Sequence, residues 1–353
     1  MIESTSAQQK EASTTRSRPA FEQVAELVWS VPVECPFPVG FTFSYLLANS
    51  VGQFVVVDPG WSSPTGRSQL MAGIAQAGLD SKSMVGVVIT HFHPDHLGAA
   101  FELADAHGAW LAMHPLESQF FADVGLDELI EREEAFLLSC GMPSETIDGV
   151  LLRPEHYSRM FPGVRRSNLE IHHGAAIPLA GRNITVVWTP GHTAGHVCLL
   201  DHDSRVVLTG DHVLPRITPN IGVESNQPDR DALAEYFTSL EAIAAWDAWE
   251  VCPAHEYRFR GLAERCRDLR DHHLERGLEV RTALAVNPRA TAWVIAKGLT
   301  WSRGWEGLDG ENLRAAVAET RSHLNHIAAN DRRKPDDPES PHSSGGNTFR
   351  PTP

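Results

Sequence analysis

The chain has 353 residues, enough for one large domain or two ordinary ones, and 42% of them are hydrophobic, which suffices for a packed core. No apolar run approaches the roughly 18–20 residues of a membrane-spanning helix, and the polar first twenty residues contain no secretory h-region. Residues 1–257 carry 14 Lys and Arg against 32 Asp and Glu, which disfavours tight binding to a nucleic-acid backbone, although residues 258–333 are basic, with 14 against 10.

The first half of the chain alternates strand-like and helix-like segments. Residues 1–20 are polar and rich in Ser and Thr, which predicts a disordered arm. Runs of β-branched and aromatic residues then predict strands, and apolar residues at helical spacing predict helices between them. The predicted strands are 25–33, 41–48, 53–60, 84–90 and 109–114, and the predicted helices are 68–79 and 97–108. Strand, helix and strand joined by short loops are typical of an α/β layer.

A helical segment interrupts this alternation at about residues 116–162. It is acidic and rich in Phe, Leu and Met, and we interpret it as an insertion. Beyond it the strands resume, and the composition turns helical from residue 259. The predicted strands here are 183–189, 204–210 and 249–253, and the predicted helices are 231–246, 290–299 and one with Leu313, Val317, Thr320, Leu324 and Ile327 on one face.

Five cysteines occur in the chain, and none of them forms a C-x-x-C pair. An odd number without such a pair argues against a disulfide framework. It predicts a protein of the reducing cytoplasm, in which the cysteines are small buried apolar residues.

Potential metal ligands follow four of the predicted strands. In open sheets, sites form beyond the carboxyl ends of strands because the loops converge there. Seven His and Asp side chains are therefore expected to meet at one sheet edge: His91, His93, Asp95, His96, His192, Asp211 and His255. A His-rich loop without metal is the alternative, but four separate strand ends with the same chemistry argue against it.

The number of these side chains indicates two metal ions rather than one. A catalytic zinc takes three protein ligands and a water, so seven ligands fit two ions that share a bridging carboxylate. Imidazole and carboxylate ligands suit zinc, with iron or manganese as alternatives, whereas the lack of thiolates argues against a purely structural zinc. We therefore predict two divalent metal ions as cofactors.

The motifs around these residues resemble those of the metallo-β-lactamase-fold hydrolases. They are T-H-x-H-x-D-H-x-G at 90–98, G-H-T-x-G-H at 191–196, Gly-Asp at 210–211 and Ala-His-Glu at 254–256, and the resemblance covers roughly 24–258. It implies an α/β fold, the αββα sandwich, with a dinuclear site at one edge of the sheets. It also implies a hydrolase that uses a metal-bridging hydroxide as its nucleophile.

The resemblance also implies roles for individual residues. One metal would be held by His91, His93 and His192, the other by Asp95, His96 and His255, with Asp211 bridging them. Asp95 would in addition be the catalytic residue that orients the hydroxide or accepts its proton. Asp58 matches a buried carboxylate that supports the metal loop, with a turn-forming Asp before Pro-Gly as the alternative. His196 is expected behind the ligands, and His212 is expected to face the substrate.

The residues after 258 resemble the small winged-helix-like module that follows the hydrolase domain in the lactamase-B2-like branch of this superfamily. The helical pattern of this segment carries the resemblance. The expected organisation is then a disordered arm at 1–20, a catalytic domain at 21–258, a mostly helical winged-helix-like domain at 259–331 and a disordered tail at 332–353.

Three functions remain open at this point. The first is hydrolysis of a small-molecule ester, thioester or lactone in an apolar pocket formed by the insertion together with Phe41, Trp61 and Phe121, unless the insertion merely packs onto the sheet. The second is cleavage of single-stranded RNA, which the acidic main part disfavours. The third is a redox or binding module without hydrolysis, which the short C-terminal segment disfavours because it cannot hold a flavodoxin-like domain. A membrane partner is not expected.

Overall fold

The computed structural model describes residues 2–122 and 125–333. The described residues form thirteen strands: β1 (Glu3–Ser4), β2 (Glu22–Ala25), β3 (Val28–Glu34), β4 (Phe41–Ala48), β5 (Phe54–Val57), β6 (Met84–Val88), β7 (Trp110–Met113), β8 (Leu169–Glu170), β9 (Ile184–Trp188), β10 (Val197–Asp201), β11 (Val206–Gly210), β12 (Glu250–Pro253) and β13 (Phe259–Arg260). They also form twelve α-helices: α1 (Ala7–Thr15), α2 (Pro64–Gln76), α3 (Pro94–Leu97), α4 (Ala100–His107), α5 (Pro115–Ala122), α6 (Leu126–Ser139), α7 (Ser144–Val150), α8 (Pro154–Met160), α9 (Ala232–Ile243), α10 (Leu262–Val286), α11 (Ala292–Ala296) and α12 (Gly310–Arg333).

Two mixed sheets contain these strands. The seven-stranded sheet has the order β2-β3-β4-β5-β6-β7-β8, and the six-stranded sheet has the order β1-β13-β12-β11-β10-β9. Strands β5 to β8 are parallel neighbours in the first sheet, and β11 and β12 are parallel in the second. Because β10 is antiparallel to both β9 and β11, the strands β9, β11 and β12 run in the same direction. Their carboxyl ends therefore lie at one edge of the sheet.

The two sheets pack face to face through alternating side chains. Along β4, Phe43, Tyr45 and Leu47 join the core between the sheets. Leu46 points to the opposite face and joins the core beneath the helices. Successive side chains of a strand point to opposite faces, and β4 is buried on both, which explains why its sequence is almost continuously apolar.

Helices cover the outer faces of both sheets. Helices α2 and α4 pack on the seven-stranded sheet in a cluster that includes Val31, Leu70 and Phe101. Helices α9, α10 and α12 cover the six-stranded sheet in a second cluster, to which α9 contributes Leu240 and β11 contributes Val207. The predicted αββα sandwich is therefore confirmed.

The segments predicted to be helical after residue 115 are helical. The insertion at about 116–162 consists of α5 to α8, and residues 262–333 contain α10 to α12 and no strand. The winged-helix comparison and the domain boundary at 258 stay predictions. Cys266 and Leu269 of α10 and Val317 of α12 share one apolar cluster with the six-stranded sheet, and α10 and α12 both pack on α9, so these helices belong to the same core. Of the predicted tail at 332–353, residues 334–353 lie outside the described residues, and the first two residues belong to α12.

Residues 2–20, predicted to be a disordered arm, are folded instead. Strand β1 pairs with β13, and the Ser6 side chain caps α1 by accepting the N–H of Gln9. The buried Gln9 side chain accepts the backbone N–H of Arg258 at 3.0 Å and donates to Ser30 Oγ at 3.2 Å. The prediction was wrong because polar composition indicated disorder, whereas these polar groups are satisfied by hydrogen bonds to the sheets.

No helix in the ranges 2–122 and 125–333 combines the length and the apolar character of a membrane span. All five cysteines are buried and free, as expected from their spacing. The cytoplasmic location stays a prediction.

Candidate metal centre

Four strand ends bring the seven predicted ligands to one place. Strand β6 is followed by His91, His93, Asp95 and His96, β9 by His192, β11 by Asp211 and β12 by His255. Their ligand atoms form two groups, each within 4.8 Å: His91, His93, His192 and Asp211, and Asp95, His96 and His255. The structure thus brings together all seven residues, in the two groups that the resemblance implies.

Three imidazole nitrogens and one carboxylate face each other in the first group. His93 Nδ1 lies 2.9 Å from His91 Nε2 and 3.0 Å from His192 Nε2. Asp211 Oδ2 lies 3.8 Å from His192 Nε2. Two ligands of a tetrahedral zinc are about 3.3 Å apart, given bonds near 2 Å, so this spacing fits one ion.

The second oxygen of Asp211 faces the second group. Asp211 Oδ1 lies 3.5 Å from His96 Nε2 and 3.3 Å from His255 Nε2. A carboxylate whose two oxygens face two ligand groups can bridge two ions. Both His96 Nε2 and Asp211 Oδ1 are buried without a hydrogen-bond partner among the described residues. Leaving such atoms unsatisfied costs about 1–3 kcal/mol each, and a metal would satisfy both.

The surroundings set the charge of the histidines. Burial lowers the pKa of His91 well below its usual value and lowers the pKa of His93 to about 3. These two imidazoles are therefore neutral, which is the form that binds metal. Burial also lowers the pKa of His96, but the negative charges of nearby carboxylates outweigh this effect. They raise the pKa of His96 to about 10, and Asp95 contributes most among them. The second group thus attracts positive charge, which a divalent cation would supply.

Hydrogen bonds fix the orientation of three of the imidazoles. Each donates from Nδ1 to a buried acceptor and so presents Nε2 to the centre. The pairs are His96 with Asp58 Oδ2 at 2.9 Å, His192 with the Asn220 carbonyl at 2.7 Å and His255 with the Phe41 carbonyl at 2.9 Å.

Asp58 lies beneath the loop after β6 that carries His91, His93, Asp95 and His96, which we call the metal loop. Its Oδ1 accepts the backbone N–H of Thr90 at 2.8 Å, and its Oδ2 accepts the Thr90 hydroxyl at 2.7 Å. Its backbone has a φ of 51°, in the left-handed region that Asp adopts more readily than most residues. Asp58 therefore contacts the loop that carries His96, as the resemblance implies, whereas residues 58–60 form no assigned turn.

We expect Asp58→Ala to lower metal affinity about 10–100-fold while all seven ligands remain, because Thr90 and His96 lose their common acceptor. Competition with a chromophoric chelator measures this affinity. Asp58→Asn tolerates the same left-handed backbone and keeps one acceptor oxygen, so its loss of metal affinity should be smaller. Wild-type affinity in Asp58→Ala would show that the metal loop does not depend on this carboxylate.

His196 and His212, two further predicted site residues, lie next to the metal centre but have different surroundings. His196 is buried, with its ring centroid 5.2 Å from that of His91, and belongs to neither ligand group. His212 was predicted to face the substrate, and that prediction was wrong. Its ring is fully buried 5.0 Å from that of Tyr236, whose hydroxyl donates to the His212 carbonyl. Neighbouring residues direct their side chains differently, so His212 points into the core while Asp211 points to the other potential ligands.

Glu117 is a site residue that the sequence analysis missed. Its carboxylate accepts the backbone N–H of Phe92 at 2.8 Å and that of Gly195 at 2.5 Å. Glu117 therefore joins the metal loop, which contains Phe92, to the loop that carries His192. A Cβ on Gly195 would lie only 2.8 Å from the Glu117 side chain, which explains the glycine there. Burial raises the pKa of Glu117 to about 7. Glu117 follows the carboxyl end of β7, so the strand-end pattern could have found it.

Two cavities open beside the centre, one next to each ligand group. The cavity next to His93 has a volume of about 90 Å³. It is lined by the apolar residues Phe92, Phe120, Leu129, Leu137, Val150, Leu151, Tyr157, Met160 and Phe161 among others, and by the charged residues Glu133, Glu224, Glu311 and Arg314. The cavity next to His255 has a volume of about 1320 Å³ and is lined among others by Arg16, Arg18, Cys35, Phe41, Arg216 and Arg303. Of the predicted pocket residues, Phe41 thus lines the wide cavity. Trp61 packs edge to face on Phe37 and lines neither cavity, and the side chain of Phe121 lies outside the described residues.

A four-layer sandwich with a His- and Asp-rich centre at the edge of its sheets defines a class of metal-dependent hydrolases. Residues 37–255 match the metallo-beta-lactamase superfamily, and the chain belongs to that superfamily. It is accordingly an enzyme of the metallo-hydrolase class.

Relatives and solved structures extend the similarity over most of the chain. A beta-lactamase domain protein from Burkholderia ambifaria has a solved structure that is 26% identical, with a TM-score of 0.75, and the match covers 94% of this chain and 92% of that one. The "Probable metallo-hydrolase YqjP" of Bacillus subtilis is 23% identical over 319 residues, 86% of this chain and 93% of the relative. The "Beta-lactamase-like protein 2 homolog" of Caenorhabditis elegans is 21% identical over 270 residues, 76% of this chain and 74% of the relative.

Proposed function

We propose that this enzyme hydrolyses a carboxylic ester, thioester or lactone at a dinuclear metal centre. The observation that carries the proposal is the small cavity beside His93. Side chains of the helical insertion line it, among them Leu129, Leu137 and Met160. An apolar wall next to the reacting atoms favours a hydrocarbon acyl group, since each buried CH₂ contributes about 0.8 kcal/mol.

Asp95 is the residue that we assign to proton transfer. When bound, two divalent cations would lower the pKa of a shared water and polarise the substrate carbonyl. The Thr42 hydroxyl donates to Asp95 Oδ2 at 2.9 Å, and His255 Nε2 lies 3.4 Å from the same oxygen. These contacts hold the carboxylate at the edge of the second ligand group, where it can orient the water and accept its proton.

We expect Asp95→Ala to lower kcat about 10²–10⁴-fold, the usual range for a general base, and to lower metal content less. Turnover and elemental analysis are measured on the same preparation. Thr42→Val removes the hydroxyl that donates to Asp95 but leaves the carboxylate in place, so it should give a smaller loss of kcat. If Asp95→Ala turned over substrate at the wild-type rate, Asp95 would have no part in proton transfer.

A substrate panel tests the proposed reaction. Protein loaded with zinc, iron or manganese is assayed with acyl thioesters, lactones, aryl esters and labelled single-stranded RNA. We expect acyl substrates to be cleaved faster than RNA by orders of magnitude. The rate should depend on acyl length, and Met160→Trp, which narrows the cavity, should shift the preference to shorter chains. No acyl hydrolysis with any of the metals would contradict the proposal.

Cleavage of single-stranded RNA is a second candidate because of the wide cavity beside His255. Four arginines line this cavity, Arg16, Arg18, Arg216 and Arg303, and cations there would neutralise phosphates. We place this function second because Arg216 already pairs with Glu256 at 2.9 Å and because residues 1–257 are acidic. RNA cleavage at a rate comparable with acyl hydrolysis, and falling steeply with added salt, would reverse the order.

A further inference from the structure

A third cluster of potential ligands lies outside the metal centre, between two C-terminal helices. His273 on α10 and Glu319 and His323 on α12 each offer one ligand atom, and these atoms lie within 4.8 Å of one another. The exposed fractions of the three residues are only 1%, 7% and 2%. Glu319 and His323 are four residues apart, which places both on the same face of α12.

His323 has a buried nitrogen without a partner. Its Nε2 makes no hydrogen bond to any described residue. Because buried polar atoms are nearly always paired, such an atom indicates a ligand that completes it. Burial lowers the pKa of His323 to about 3 and that of His273 well below its usual value. Both imidazoles are therefore neutral at pH 7, as metal ligands must be.

Glu319 connects this cluster to the metal centre. Asn220 Nδ2 donates to Glu319 Oε2 at 2.9 Å, and the Asn220 carbonyl accepts Nδ1–H of His192 at 2.7 Å. Burial raises the pKa of Glu319 to about 7, and a cation beside it would favour the ionised form. The nearby Arg276 guanidinium donates to Glu279 at 2.9 Å and to the Thr300 carbonyl at 2.6 Å, and its positive charge also favours the ionised form of Glu319.

We propose that His273, Glu319 and His323 bind a divalent metal ion in addition to those of the catalytic centre. Two imidazoles and one carboxylate form a ligand set that suits zinc, with a water completing the coordination. The ion joins α10 to α12. Through Glu319 and Asn220 it also stabilises the segment that orients His192, so the C-terminal helices support the catalytic centre.

Zinc content in a variant with a disrupted catalytic centre tests this site. We expect the His91→Ala/Asp211→Ala variant to retain about one equivalent of zinc after loading and desalting, and to lose it when His323→Ala is added. His272→Ala, next to His273 but outside the cluster, is the matched control and should leave that equivalent in place. The proposal is overturned if the double variant binds no zinc, or if its zinc content is the same with and without His323.

A second variant keeps the test valid if His323→Ala does not fold, which circular dichroism would reveal. Glu319→Gln preserves the shape of the side chain and its acceptor for Asn220 while removing the negative charge. In the otherwise unchanged protein we expect it to weaken binding of the additional zinc at least tenfold in a chelator competition. Unchanged affinity in Glu319→Gln would equally overturn the proposal. Neither readout depends on the substrate of the catalytic centre.

Discussion

Asp211→Ala is expected to abolish hydrolysis and to weaken metal binding more than about 100-fold, which exceeds the range for residues that only support a ligand. Its two oxygens face different ligand groups, with Oδ2 3.8 Å from His192 Nε2 and Oδ1 3.3 Å from His255 Nε2. Removing this one side chain would therefore affect both of the proposed ions at once. Elemental analysis of the purified variant, together with its activity, measures the effect.

The matched control for this variant is Asp271→Ala. Asp271 is an exposed residue of α10, so the same chemical change there should leave metal content and activity unaltered. An Asp211→Ala protein that kept its full metal content would mean that this carboxylate does not bridge two ions.

Arg314→Ala is expected to lower the free energy of unfolding by about 3–5 kcal/mol, the range for breaking a buried ion pair by removing one partner. Arg314 Nε donates to Glu133 Oε1 at 2.8 Å, and its Nη2 donates to Glu224 Oε2 at 2.9 Å. The side chains of the three residues are only 17%, 10% and 14% exposed. The substitution would leave two carboxylates without their partner where α12 meets the insertion and the loop after β11.

Urea denaturation measures this loss, and Arg321→Ala on the same helix is its control. Arg321 pairs with Asp229, whose side chain is 87% exposed, so its removal should cost less than about 1 kcal/mol. Combining Arg314→Met with Glu133→Gln and Glu224→Gln should recover much of the stability, because no unpaired charge then remains. Equal losses for Arg314→Ala and Arg321→Ala would show that the buried pair does not join these segments. Arg314, Glu133 and Glu224 also line the cavity beside His93. Arg314→Ala is therefore also expected to alter the preference of the enzyme for acyl groups.

The seven side chains that meet at the sheet edge could be predicted from the sequence because potential ligands that directly follow strands are visible as local patterns. The αββα sandwich could also be predicted from local patterns, because most strands are apolar runs with turn residues on either side. Strand β10 was missed because Val197–Asp201 begins immediately after His196, without a turn residue that separates it from the motif. It nevertheless pairs with both β9 and β11 and sets their common direction.

The features that the sequence did not predict depend on contacts between distant segments. The order of residues 2–20 rests on pairs such as Gln9 with Arg258, which are 249 positions apart. The role of Glu117 rests on hydrogen bonds to Phe92 and Gly195, which periodicity and composition do not reveal. Gln9 and Glu117 are polar, and a polar residue in a sequence predicts an exposed side chain. Their burial depends on hydrogen-bond partners that only the folded chain brings close.

Anomalous diffraction from crystals of the metal-loaded protein tests most directly whether two ions share this centre. We predict one peak within bonding distance of His91, His93 and His192, and a second near Asp95, His96 and His255, with the Asp211 carboxylate between them. A single peak in this region, or two peaks that Asp211 does not contact, would contradict the account.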